Sequence, residues 1–181
     1  MMRADMTDLV EQMNDQIADL RAELEEAKDQ AREAETGDEY DEAETDARDI
    51  NADIRTVERE RDQVREKIDE WGDSVFRIKE LTWGDRQRVD DIVRVKTVDE
   101  GIDDTTAMMG AYKLALVNRG VKGTPDGAPH KAGAYPDAIG EWLYVRVSDL
   151  NGGAADEDLA AFSLGDEIPR PDGQPSSSTG E

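Results

Sequence analysis

Apolar side chains punctuate the charged N-terminal part of this chain at a fixed rhythm. They fall at Met6, Val10, Met13, Ile17, Leu20, Leu24, Ala27, Ala31 and Ala34, with gaps alternating between four and three. Such spacing keeps one stripe of a helix apolar and is the seam of a coiled coil. A second series, Tyr40, Ala43, Ala47, Ile50, Ile54, Val57, Arg61, Val64, Ile68 and Trp71, keeps the same rhythm. The two are out of phase by one residue across Thr36-Gly37-Asp38. Gly37 suits a helix C-terminus, and Asp38 can cap the next helix.

A chain that folds back here pairs Ala34 with Tyr40, Ala31 with Ala43, Leu24 with Ile50, Leu20 with Ile54, Ile17 with Val57 and Met6 with Ile68. Small residues gather at the turn. Only Met13 meets a charged residue, Arg61, whose stem can lie along apolar surface. The pattern therefore predicts an antiparallel hairpin of about 29 residues per arm, about 43 Å long at 1.5 Å per residue. The alternative is one continuous helix in a parallel oligomer, which has to absorb the phase slip at a helix-breaking glycine. Hairpins of this kind can also pair with each other, so a homo-oligomer is compatible with the seam.

Past Trp71 the rhythm changes. Val75, Phe76, Ile78 and Leu81 form a short strand-like run in which Phe76, Ile78 and Glu80 share a face, with Arg77 and Lys79 opposite. Thr82, followed three positions later by Asp85, is an imperfect capping box for a helix that turns Val89, Ile92 and Val93 inward. A second helix fits Asp104 to Arg119, with Met108, Tyr112, Ala115 and Leu116 on one face. Residues 120–135 read as a glycine- and proline-rich loop. Pro136 at a first helical position opens a helix carrying Ile139, Trp142, Leu143, Val147 and Leu150. The run Leu143 to Val147 reads also as a strand. Asn151-Gly152-Gly153 ends it.

A short amphipathic piece follows over Asp156 to Leu164, and from Gly165 the composition is that of a disordered tail. The fold class expected is mainly α. An antiparallel coiled-coil hairpin over 1–71 leads into a small, mostly helical domain with a short β segment over 72–152. A short helix and a disordered acidic tail occupy 153–181.

Charge narrows the partners. With 22 basic and 45 acidic side chains the formal charge is −23. That excess opposes compaction in ordinary buffer and repels nucleic acid and anionic membrane. Halophilic proteins carry such surfaces; an unusually acidic mesophilic protein is the plainer alternative. There is no cysteine, so a disulfide framework, a zinc–thiolate site and a thiol nucleophile are excluded. No apolar run is long enough to cross a membrane, and the N-terminus has no signal-peptide core, so the expectation is a soluble protein that stays where it is made.

Chemistry is sparse. The chain has no phosphate-cradling glycine–lysine motif and no dinucleotide-binding glycine pattern. Its one histidine, His130, lies in the glycine-rich loop with no second imidazole or thiol to complete a zinc site. Asp90-Asp91 and Asp103-Asp104 could hold a hard cation weakly, but in so acidic a chain they read as solvated faces. No catalytic, cofactor or metal residue is expected, and no enzyme. The aromatic residues Trp83, Tyr112, Tyr135 and Trp142 are the candidate protein-interaction residues, with membership of a small core as the competing role.

The order of elements from about residue 72 to 152 resembles the tail assembly chaperones of tailed phages. The residues that carry the likeness are Phe76, Ile78, Leu81, Thr82 and Asp85, then Tyr112-Lys-Leu-Ala-Leu-Val117, Pro125, and finally Val147 with Leu150-Asn151. The resemblance implies a non-enzymatic protein that binds the viral tape-measure and tail-tube proteins in the host cytoplasm during assembly. With the acidic composition, it implies a virus or provirus of a halophilic archaeon. The hairpin is a departure from the family pattern. It leaves open a structural component of the particle, in the tail or connector, or a generic coiled-coil adaptor.

Overall fold

The structure, a computed structural model, describes residues 1–95 and 105–152. It is mainly helical, with one small antiparallel sheet. In chain order the elements are β1 (Met2–Asp5), α1 (Met6–Glu33), α2 (Gly37–Trp71), β2 (Val75–Ile78), α3 (Trp83–Arg94), α4 (Thr105–Gly120), β3 (Val121–Gly123) and α5 (Asp137–Leu150), with a 3-10 turn at Ala132–Ala134 before α5.

The seam folds as the antiparallel hairpin. Met6, Met13, Ile17 and Ala27 of α1 are buried with Ala43, Ile54, Val57, Val64 and Trp71 of α2. Two polar links cross between the arms, Arg21 to Glu58 at 2.8 Å and Arg61 to Asn14 at 3.4 Å. The second sits where the seam pairs Arg61 with Met13. Met13 is buried, while the guanidinium reaches sideways to Asn14 and Asp62. The turn differs in detail from the expectation. Thr36, not Asp38, is the N-cap of α2; its hydroxyl accepts from the Glu39 N–H while the Glu39 carboxylate accepts from the Thr36 N–H. Gly37 begins α2 rather than ending α1. Thr36 wins because a threonine three residues before a glutamate satisfies two end donors at once.

Both arms are rooted in the sheet. Residues 2–5, which the heptad reading places in the hairpin, form β1 and pair antiparallel with β2, Ala4 opposite Phe76 and Asp5 opposite Val75. Asp5 then caps α1, accepting from the Thr7 N–H (3.1 Å), the Thr7 hydroxyl (2.9 Å) and the Ser74 hydroxyl (2.6 Å). These bonds, the Ser74 one first, hold its carboxyl below the usual range. At the other root Gly72 ends α2 with φ +66, a left-handed turn that glycine adopts without strain. The rod is thus inserted between two neighbouring strands of the small domain.

β2 is the central strand, and β3 pairs on its other side. β3 lies inside the segment expected to be loop. Three residues with a glycine among them show no alternation; their strand geometry comes from pairing with β2, Val121 opposite Ile78 and Gly123 opposite Arg77, and the Lys79 N–H bond to the Gly120 carbonyl lies just beyond the paired residues. The alternation in β2 itself holds, with Phe76 and Ile78 fully buried and Arg77 exposed. Those two side chains join Val89, Ile139, Leu143 and Val147 in a single core continuous with the hairpin seam. The ambiguous run Leu143–Val147 is helical, within α5. Gly120 passes so close to α5 that an added Cβ would lie 2.4 Å from Val147 Cγ1. Any larger residue there would have to push into a fully buried valine. The expectations for Asp103, Asp104 and the segment 153–181 lie outside the described residues.

Candidate protein-interaction surface

The step from β2 into α3 is fixed by one buried carboxylate. Asp85 accepts from Lys79 Nζ (2.8 Å), the Thr82 hydroxyl (2.9 Å) and the Thr82 N–H (3.2 Å), and its own N–H donates to Thr82 Oγ1. The capping box is complete even with the shorter aspartate. The Lys79 ammonium, then the Thr82 donors, hold the Asp85 carboxyl far below the usual carboxylate range. A folded-state pKa below the unfolded one adds stability above the unfolded value of about 3.9, and that stability is lost as pH falls through the folded value. Asp85→Asn is therefore expected to lower the melting temperature by several degrees at pH 7. The gap to the parent protein should narrow as pH falls below about 4, read by thermal denaturation across pH. A gap that does not depend on pH would mean the charge of Asp85 is irrelevant.

A second tie closes the domain. Asn151, at the end of α5, accepts from the Leu81 N–H and donates to the Val147 carbonyl at 2.6 Å. Its own carbonyl accepts from Arg86 at 2.9 Å. The end of α5 is thereby pinned to the start of α3. Residues that carried the sequence resemblance at two distant places, Leu81-Thr82 and Leu150-Asn151, meet here.

What this frame leaves open is an apolar surface on α3 and α4. α4 packs against α3 on one side and α5 on the other, burying Ala115, Leu116 and Val117. Its opposite face, with Ala107, Gly110 and Leu114, stays exposed, and Leu114 keeps 45% of its surface. With Ile92 of α3, at 39%, these residues line an open groove of about 650 Å³ floored by Ala111 and Ala115. Leu114 is also the ridge to a smaller groove of about 300 Å³ toward Gly133 and Gly140. Ile92 corrects the expectation that it points inward; Val89 and Val93 fill the core side of α3, leaving Ile92 at the stripe's edge.

The four candidate aromatic residues separate. Trp83, at the start of α3, is 78% exposed. Tyr135 is buried against Trp71 and Phe76, its hydroxyl donating to the Pro129 carbonyl at 2.8 Å, and burial pushes its phenol pKa up. Trp142 is buried in α5 under Arg146, its Nε1–H without a hydrogen-bond partner. Tyr112 packs half-buried against the core. Only Trp83 offers a large exposed ring. Ile92, expected inward, and Leu114, not among the four candidates, add the large exposed aliphatic side chains of these helices.

His130 is exposed at the mouth of a cavity of about 320 Å³ beside Asn118 and Lys122. Asp90 and Asp91 are exposed on α3. Among the described residues no three histidine or acidic side chains converge as metal ligands do, and no helix is long and apolar enough to cross a membrane. Comparison of the chain with protein-family models, with curated proteins and with solved structures finds no match.

Proposed function

We propose that the protein is a non-enzymatic assembly chaperone of a tailed virus with a halophilic host. It binds the helical tape-measure protein and tail-tube subunits in the host cytoplasm during assembly. The observation that carries this reading is the open groove around Ile92 and Leu114, an apolar surface on a molecule of charge −23. The groove, in which Ile92, Ala107 and Leu114 lie beside Asn118 and Arg119, is of the kind that takes the apolar stripe of another helix. The sequence resemblance supplies the kind of partner. The rod supports a second reading, a permanent part of the particle, because arms of 28 and 35 residues make a long stiff spacer.

Co-expression of the full chain with a tape-measure-like protein is the test. The two should co-purify, and the complex should persist above about 1 M potassium chloride, where charged docking is screened and apolar docking is not. Leu114→Asp and Ile92→Asp should each cut recovery at least about tenfold, the equivalent of 1.4 kcal/mol. Val145→Asp, exposed on α5, should leave it unchanged. Failure to co-purify, together with a fixed number of copies in finished virions, would replace the chaperone by the structural reading.

A further inference from the structure

The cavity of about 320 Å³ between α4, β3 and the segment before α5 has fixed walls. Asn118 of α4 accepts from the Ala132 N–H at 2.9 Å and donates to the Leu114 carbonyl at 2.8 Å. Tyr135 is buried, and its hydroxyl ties down the Pro129 carbonyl, one residue before His130. On the other side β3 is held by its pairing with β2. The space is therefore preformed, as small-molecule sites mostly are.

Its lining is of two kinds. Val117, Val121, Ala132 and Tyr135 supply an apolar wall, while Lys122, Thr124 and His130 supply polar side chains. None of those three polar side chains makes a hydrogen bond or ion pair among the described residues. Lys122 is the extra residue of a β-bulge. Val121 faces Ile78 and Gly123 faces Arg77, which leaves Lys122 between them without a strand partner, and a bulge of this kind re-aims a side chain. Arg77 adds a further cation at the rim. Its stem lies across Gly123, where an added Cβ would sit 3.3 Å from Arg77 Cδ. Among the described residues no carboxylate lines the cavity, although acidic side chains outnumber basic ones 45 to 22 in the chain. The lining thus selects an anion.

We propose that this cavity binds a small organic carboxylate, its apolar body against Val117, Val121 and Tyr135 and its charged group at Lys122, Thr124 and His130. An ammonium and a hydroxyl both donate to a carboxylate, and a protonated imidazole nitrogen does the same. The volume lies at the lower end of the range of about 300–1,000 Å³ for ligand pockets, so the occupant has the size of a single ring rather than of a nucleotide. A bare oxyanion would satisfy the cations and leave the apolar wall wet. Neither Ile92 nor Leu114 lines this cavity, so the site is separate from the chaperone reading.

The test is a titration of the isotope-labelled full-length protein with benzoate at constant ionic strength, followed by nuclear magnetic resonance. The amide signals of Lys122, Thr124 and Ala132 should shift and saturate with a dissociation constant of about 1 mM or below. Benzyl alcohol keeps the ring and loses the charge; inorganic phosphate keeps the charge and loses the ring. Each should bind at least about tenfold more weakly than benzoate. Lys122→Gln should weaken benzoate binding about tenfold. Arg88→Gln, the same change of charge at an exposed position on α3, should leave it unchanged. Shifts that do not saturate would overturn the proposal. So would benzyl alcohol or phosphate binding as tightly as benzoate, or a Lys122→Gln protein that binds as the parent does.

Discussion

Phe76→Ala is expected to cost about 3–5 kcal/mol, the usual penalty for deleting a fully buried ring. Phe76 is the largest side chain in the core with no exposed surface. Its ring meets Trp71 edge-on at 6.2 Å and Tyr135 at 5.5 Å, and Trp71 meets Tyr135 at 6.2 Å. The three rings come from the end of α2, from β2 and from the segment before α5, so this triangle joins the rod to the small domain. Each pair adds about 0.5–1.5 kcal/mol beyond burial. Against a total stability of about 5–15 kcal/mol the loss is large, and the melting temperature should fall by about 15 °C. Circular dichroism and tryptophan fluorescence should report one shared transition in the parent protein. A loss below about 1 kcal/mol, or a helix signal that melts unchanged while the fluorescence transition collapses, would show that the rod stands without the triangle.

The rod was legible because its signal is long. Nineteen seam positions in unbroken rhythm, nine in the first series and ten in the second, leave little room for another fold. The phase slip at Thr36-Gly37-Asp38 then set the direction of the return. The strands β1 and β3 were not legible for the opposite reason. Each is four residues or fewer without a pair of strand-favouring residues such as Phe76 and Ile78 of β2, and each owes its geometry to a partner far away in sequence. Ala4 opposite Phe76 is a contact that no local window contains. The same holds for α5, where Leu143 to Val147 satisfies strand and helix patterns alike. Burial of Ile139, Trp142, Leu143 and Val147 on one helical face is what resolves it.

Of the interaction surface, the sequence revealed the frame better than the face. Thr82 and Asp85 form a cap that spacing alone predicts, and Asn151 ends α5 as read. Trp83 and Trp142 look equivalent as residues, and only tertiary packing exposes one and buries the other. Leu114 did leave a trace. On a helix it lies about 145° from the stripe of Met108, Tyr112, Ala115 and Leu116 at 100° per residue, so an apolar residue stood on the supposedly polar face. α4 is apolar nearly all the way round, and that breadth hid it.

Raising potassium chloride from about 0.1 M to above 1 M, which shortens the screening length from about 10 Å to about 3 Å, should raise the melting temperature by about 4–8 °C, the shift that about 2 kcal/mol produces in a chain of this size. The cause is the charge of −23, much of it spread along two closely packed arms. α2 has no basic residue in its last turn and ends with Asp69 and Glu70, so its C-terminal dipole is opposed rather than balanced. Salt also weakens attraction. The pairs Arg21–Glu58, Arg32–Asp29 and Arg48–Glu44 are largely exposed, and such pairs contribute about 0–1 kcal/mol each. Repulsion among the uncompensated carboxylates involves many more pairs than these few attractions, so screening stabilises on balance. Sodium chloride should act as potassium chloride does, since the effect is ionic strength rather than ion identity. A melting temperature that stays flat or falls between about 0.1 M and 1 M would remove the halophilic host from the proposed function.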